Sequence, residues 1–265
     1  IDTFLPNMVY ASLAIPRSRY KSKALSVDDS GARGIPGFIA AVIVDDSFGK
    51  CTGWVLAIAE SFPAAQKAAA ALKIEWDPGP YGDLSSEQLL AEYKAMQADS
   101  SLGAPWVLEG DVDSELAGAD EVMTADYTTE MVCHATMEPL NATAHEVNGT
   151  WHVYTGTQST SFARMTLTGF LSTVLEKPGE EINVVIHQTI LGGGFGGKQD
   201  YDEILAAAYA SHKVGRPVKL IQTRESNFAT SFPRTPTVHN LKAAIKDNAL
   251  AAMDHDIVCG YMGAR

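Results

Sequence analysis

Ile182-Asn-Val-Val-Ile-His-Gln188, Ile190-Leu-Gly-Gly-Gly-Phe-Gly-Gly-Lys-Gln199 and Glu203-Ile-Leu-Ala-Ala-Ala-Tyr-Ala210 follow one another in this chain and decide how it is read. The first has the β-branched content of a partly buried strand, and the third presents the Ala/Leu/Ile face of a packed helix. Between them, five glycines in six positions surround one phenylalanine. Glycine tolerates positive φ and close approach at a conformational cost, so a run this dense predicts a nest of N–H donors facing an anion or cofactor. Strand, bare loop and helix is also the order that aims a helix N-terminus at a phosphate or oxyanion.

Three structural readings compete for the loop. As a GxxxxGK[ST] phosphate loop, Gly192 to Lys198 fits, but Gln199 lacks the hydroxyl that would hold magnesium. As a GxGxxG dinucleotide fingerprint, Gly192, Gly194 and Gly197 fit, but the next strand, Val218-Lys-Leu-Ile-Gln222, ends without the acid that would take a ribose hydroxyl. The third reading is a tight turn that only packs strand on helix.

Outward from the loop, residues 1 to about 80 read as a small α+β unit. Phe38 to Val44 and Trp54 to Ala59 are apolar strands. Ser61 caps a helix with Pro63 near its start that runs to Leu72, before the strand Lys73-Ile-Glu-Trp76. Asp77-Pro-Gly-Pro-Tyr-Gly82 breaks regular structure, and a connector over 81–120 holds a helix from about Ser86 to Gln97. From about Glu121 a third region runs to residue 265. It opens with the strand Val122 to Tyr127 and contains a hairpin around Asn148-Gly149, a helix from Thr160 to about Leu171, and a second hairpin around Asp247-Asn248.

With 32 acidic against 20 basic residues the formal charge is −12, which opposes nucleic acid and anionic membrane surfaces as partners. No apolar run approaches the roughly 20 residues that span a bilayer. No leader is visible at Ile1, although a mature form or fragment would have lost one, and the compartment stays open between periplasm and cytoplasm. Cys51, Cys133 and Cys259 lie far apart, which favours reduced, buried thiols and puts any iron-sulfur cluster on another chain.

Four segments in order carry a family resemblance over most of the chain. They are Cys133-His-Ala-Thr-Met-Glu-Pro-Leu-Asn141, Trp151-His-Val-Tyr-Thr-Gly-Thr-Gln-Ser-Thr160, the glycine loop, and Leu220-Ile-Gln-Thr-Arg-Glu-Ser226. The set resembles the xanthine oxidase and aldehyde oxidase family of molybdenum hydroxylases. Leu5 to Ala11 and Glu75-Trp76-Asp77 resemble the large molybdopterin-binding subunit of isoquinoline 1-oxidoreductase-like and aldehyde dehydrogenase enzymes. The resemblance implies an α+β chain: an α/β-hammerhead over 1–80, the connector, and the first part of a molybdopterin-binding domain over 121–265.

It further implies that Gly193, Gly194, Phe195, Gly196 and Gly197 lie against the molybdenum cofactor, in a cytosine dinucleotide form. Gln158 would donate its amide to an oxygen on the metal, a neutral donor suited to gathering charge. Gln199 stands where purine-oxidising relatives carry a glutamate, and a neutral amide cannot give a purine nitrogen a negative charge. Aldehydes or uncharged N-heteroaromatics are therefore the expected substrates. Hydroxylation would use water oxygen, electrons would pass to iron-sulfur centres on a partner subunit, and the family's Gly-x-Gly-Glu base is expected outside this chain.

Each of these residues has a plainer alternative. Phe195 could plug the core, Gln158 could be a helix-entry residue, and Arg224-Glu225 reads as a structural ion pair or cap. His134 and Glu138 are four apart, but the residue before Pro139 avoids the α region, so no metal ligand is assigned there and Met137-Glu138-Pro139 reads as a buried turn. The competing functions are a non-catalytic hammerhead or assembly fragment and a phosphate-loop nucleotide-binding protein.

Overall fold

A computed structural model describes residues 1–16, 18, 21–46, 48–99 and 101–260; the last five residues of the expected third region lie outside it. The architecture is mixed α and β, as expected. Two compact units form, and the chain passes from the first to the second and back before returning again.

The first unit comprises Ile1–Asp83 and Cys133–Phe232. Its strands in chain order are β1 (Val9–Ala14), β2 (Lys23–Asp28), β3 (Phe38–Ile43), β4 (Val55–Ala59), β5 (Lys73–Asp77), then β7 (Asn141–Val147), β8 (Thr150–Thr155), β9 (Asn183–Gln188) and β10 (Val218–Ile221). Seven of them make one sheet in the order β3-β4-β1-β10-β7-β8-β9, while β2 pairs with β5. Strands on either side of residue 80 thus share a sheet. The buried core runs through Val9, Leu56, Ile58, Val153, Leu167, Phe170, Ile204, Leu205 and Leu220.

Helices cover the sheet where the sequence signals placed them. Helix α1 (Phe62–Ala71) starts at Ser61, whose side chain accepts from the Ala64 N–H, with Pro63 in its first turn. Helix α4 (Thr160–Val174) crosses between β8 and β9, which are parallel in unbroken register from Thr150↔Asn183 to Thr155↔Gln188. Helix α5 (Asp202–Val214) follows the glycine loop. Every residue from Asp202 to Ser211 is buried, so this helix has no solvent face until its last turn. It ends at Gly215, which adopts the left-handed conformation that closes a helix.

The second unit holds Leu84–Val132 and the chain from Pro233 onward. It contains α2 (Ser86–Ala98) with a full capping box at Ser85, α3 (Val112–Ala117), and the strands β6 (Glu121–Thr129), β11 (Thr237–Lys246) and β12 (Ala249–Cys259), which form an antiparallel sheet in the order β12-β11-β6. Asp247 and Asn248 both take positive φ between β11 and β12, as do Asn148 and Gly149 between β7 and β8, so both expected hairpins form. Strands β1 and β2, helix α3 and a short helix α6 (Arg224–Thr230) had not been individually assigned from sequence. The three cysteines are free, but only Cys51 is buried; Cys133 is half-buried and Cys259 exposed, which corrects that part of the expectation.

Candidate functional site

The site follows from strand direction. Strands β8 and β9 are parallel, β7 runs against β8, and β10 runs against β7. The carboxyl ends of β8, β9 and β10 therefore share one rim of the sheet, and β7 begins there. The rim carries Gln158 just after β8, the glycine loop after β9, Gln222 after β10, and Glu138 just before β7. Ligands of open α/β sheets bind outside carboxyl ends.

Long-range partners fix the loop. The Gln158 side-chain oxygen accepts from the N–H of Gly196 at 2.9 Å and of Lys198 at 3.3 Å. The Gln158 N–H in turn donates to the Lys198 carbonyl at 3.1 Å. Two backbone donors on one amide oxygen settle which end is oxygen, so the amide nitrogen points away from the loop on an exposed side chain. It has no hydrogen-bond partner among the described residues. A Cβ on Gly194 would collide with that Gln158 amide, so a side chain at this position would push the amide off the loop. Gly196 turns the chain at φ +102, a conformation that glycine adopts freely.

The other anchor is Glu138. Its carboxylate accepts from the Gly192 N–H at 3.1 Å and holds the buried Lys198 ammonium at 2.6 Å. Burial pushes this carboxyl up, but the bonds from Lys198, the Gly192 N–H and the chain's amino group outweigh that and bring it down to about 2. His134 packs against Gly197, where an added Cβ would meet its ring at 3.0 Å. Glu138 sits in a bend, and beside it Met137 is largely exposed, so Met137-Glu138-Pro139 forms a loop anchor rather than a wholly buried turn.

These contacts correct three readings. A phosphate loop needs its lysine free to meet phosphate, whereas Lys198 is 2% exposed and spent on Glu138. The N-terminus of α5 does not face an anion either. Its first turn carries the buried carboxyls Asp202 and Glu203, which occupy the positive end of the dipole. Burial raises Glu203 to about 7. Phe195 plugs nothing, since it is 64% exposed.

Gly193 is half-buried, Gly194 and Gly197 are buried, and Gly196, Phe195, Gln158 and Gln199 are exposed, so the loop is reachable at Phe195 and Gly196. Gln199 ends the short 3-10 turn that follows Gly196. Arg224 donates to the Met137 carbonyl at 3.2 Å, and Glu225 lies in the first turn of α6, which Thr223 caps. The segment is therefore a cap, and no Arg224–Glu225 ion pair occurs among the described residues. Glu138, Lys198 and His134 are the site residues that sequence reasoning left without a role. No local signal pairs the first two, which lie 60 residues apart in sequence.

The rim fits a polar organic cofactor. It has an exposed turn at Phe195 and Gly196 and an outward amide on Gln158. It also has two buried polar atoms without a hydrogen-bond partner among the described residues, Thr189 Oγ1 and Gln222 Nε2. A family model of the molybdopterin cofactor-binding domain matches residues 98–264. The chain belongs to that family, the molybdenum hydroxylases.

Among curated relatives, it is 34% identical to the membrane-bound aldehyde dehydrogenase (pyrroloquinoline-quinone) of Gluconacetobacter polyoxogenes, over 98% of this chain and 33% of that protein. It is 28% identical to the nicotinate dehydrogenase large molybdopterin subunit of Eubacterium barkeri, over 95% of this chain and 63% of that one. The chain thus spans between a third and two thirds of the length of these two relatives. The aldehyde oxidoreductase of Desulfovibrio desulfuricans shares the fold with TM-score 0.71 at 17% identity, over 97% of this chain and 32% of that chain. Among the described residues no helix is long and apolar enough to cross a membrane.

Proposed function

We propose that this chain is the part of a molybdenum hydroxylase large subunit that cradles the molybdenum cofactor, in an enzyme that hydroxylates an aldehyde or N-heteroaromatic substrate with oxygen from water. The single observation that carries the reading is the pinned Gln158 amide: its oxygen is consumed by the loop, and its two N–H donors are left facing outward. When bound, the cofactor supplies the oxygen-transfer and two-electron redox chemistry.

The chain's own residues hold and orient. The run from Gly193 to Gly197 brings a flat ligand against the exposed backbone at Phe195 and Gly196, while Gly194 and Gly197 pack beneath it. The Gln158 amide donates to an oxygen of that ligand and stays neutral as charge gathers there. Glu138 and Lys198 keep the loop in place as an internal ion pair that contributes no net charge. Gln199 presents an uncharged group to the approaching substrate, which favours aldehydes and neutral heterocycles over purines. Electrons leave to iron-sulfur centres on a partner subunit, and the cofactor takes the cytosine dinucleotide form. The division into a hammerhead over 1–80, a connector over 81–120 and the first part of the cofactor domain over 121–265 belongs to the same proposal.

The test is elemental analysis of the chain purified together with the rest of its subunit and its partners. Stoichiometric molybdenum, lost in Gln158→Ala, is the expected result. Absence of molybdenum from the unaltered assembly would return the chain to a scaffolding role.

A further inference from the structure

Lys198 ties the loop to its surroundings through both backbone and side chain. Its N–H and its carbonyl hold Gln158, at 3.3 and 3.1 Å, and its ammonium holds Glu138. An ammonium carries three donors, so it can serve a second carboxylate without leaving the first. Glu203, in the buried first turn of α5, is an acceptor of that kind. It is 2% exposed, and its Oε2 has no hydrogen-bond partner among the described residues. Elements of this chain alone enclose it.

Around Glu203 stand Asp202 and Tyr201 of the same segment, Lys198 of the loop, and Lys50, Cys51 and Asp46 of the turn between β3 and β4, where Cys51 donates to the Asp202 carbonyl at 3.1 Å. Burial keeps the Cys51 thiol and the Tyr201 phenol neutral. The strands and the helix packed on α5 bring Val42, Ala144, Val153, Leu167 and Leu220 to it, none of them ionisable. Lys198 and Lys50 are the cations whose charge favours the ionised carboxyl. Of the two, Lys198 is buried, whereas Lys50 keeps contact with solvent.

We propose that Glu203 is a positioning residue that acts on the Gln158 amide through Lys198. Protonated, it leaves the ammonium wholly on Glu138. Ionised, it draws the ammonium into a seat shared with Glu138, because a carboxylate buried without a partner is costly and the Lys198 ammonium is confined with it. The Lys198 peptide shifts with its side chain, and the amide that it holds turns with it. One proton thus selects between two orientations of the donor at the rim. The task of Gln158 rests on the proposed function, whereas its coupling to Glu203 is read without regard to metal content, so the two fail separately.

Two amide signals followed against pH test it, by NMR of the chain assembled with the rest of its subunit and labelled at glycine and glutamine. They are the Gly192 N–H, which shares the Glu138 oxygen with Lys198, and the Gln158 side-chain amide. Both are expected to shift together as pH rises from about 5 to about 9, with one midpoint near the value of about 7 that burial gives Glu203. Glu203→Gln is expected to abolish the shared transition and Glu203→Asp to keep one, a difference that a purely structural role would not produce. An imidazole also changes charge in this range, and His134 lies beside Gly197. Persistence of the transition in Glu203→Gln would assign it to that ring and overturn the proposal. In the unaltered protein, a pH course in which Gly192 and Gln158 stay still, or shift at separate midpoints, overturns it without any variant.

Discussion

The two rims of the large sheet solve the same problem, closing a chain between neighbouring elements, by opposite means. At the rim bearing Asn148 and Gly149, two positive-φ residues join adjacent antiparallel strands, and the turn is held within a few residues, the Gly149 N–H donating to the nearby Glu146 carboxylate. At the carboxyl rim, Gly193, Phe195 and Gly196 also take positive φ, but beyond one local bond, from the Gly197 N–H to the Gly194 carbonyl at 2.8 Å, the loop relies on distant partners. Its peptides are held by Gln158, 38 residues upstream, and by Glu138, 54 residues upstream. A turn specified locally can be altered cheaply, whereas a loop specified from a distance fails when any one anchor goes.

The largest effect is expected at Gly194. Its Cβ would occupy the place of the Gln158 oxygen, so Gly194→Val displaces the amide and should lower the molybdenum content of the assembled enzyme by more than tenfold, measured against protein by mass spectrometry of the metal. Unchanged loading would show that the Gln158–loop contact is dispensable, and the contrast between the rims would lose its meaning.

Next comes Glu138→Gln, which leaves the Lys198 ammonium buried without its counter-charge and should cost about 3 kcal/mol in denaturant unfolding. The pH dependence has a defined sign. Because the folded carboxyl is depressed to about 2, its stabilisation is present above the ordinary carboxylate range and is lost as pH falls through that range toward 2. The variant should lack this acid limb of the stability curve.

Glu203 should behave in the reverse way. Raised by burial to about 7, it favours the folded state most below its ordinary range, and stability falls as pH climbs from about 4.5 toward 7. Glu203→Gln should flatten that decline, by an amount on the order of 2 to 3 kcal/mol between pH 5 and 8, read from urea midpoints. An unaltered pH profile would show that the carboxyl is solvated after all.

The smallest effect belongs to the local rim. Asn148→Ala places a side chain without a local hydrogen-bonding group at φ 51 and should cost about 1 kcal/mol in thermal unfolding, with molybdenum loading intact. A loss of cofactor from this variant would mean that the rims are coupled.

The same contrast explains what could be read from sequence. Ser61 with Pro63, Asn148-Gly149, Asp247-Asn248 and the 182–188 strand were legible because each is a short-range rule satisfied by neighbouring residues. The bareness of residues 192–197 was legible for the same reason. What the loop rests on was not. Lys198 carries the same signature whether it meets a phosphate or turns inward to Glu138, and only the antiparallel entry of β7 at this rim brings the carboxylate within 2.6 Å. The acids opening α5 carry no local mark of burial, which depends on elements packed around them from elsewhere. Strand β1 escaped individual assignment because, buried nearly throughout, it lacks the alternation that marks a half-exposed strand.

Helix α5, enclosed on all sides for ten residues, sets a limit on how this part of the chain can change. Adding or deleting one residue there would rotate every following side chain by about 100°, and no outward face exists to absorb the error. Length variation, reporter insertions and permuted termini belong at the 148–149 turn, while the stretch from Asp202 to Ser211 tolerates exchange of one side chain for another of like volume and little else.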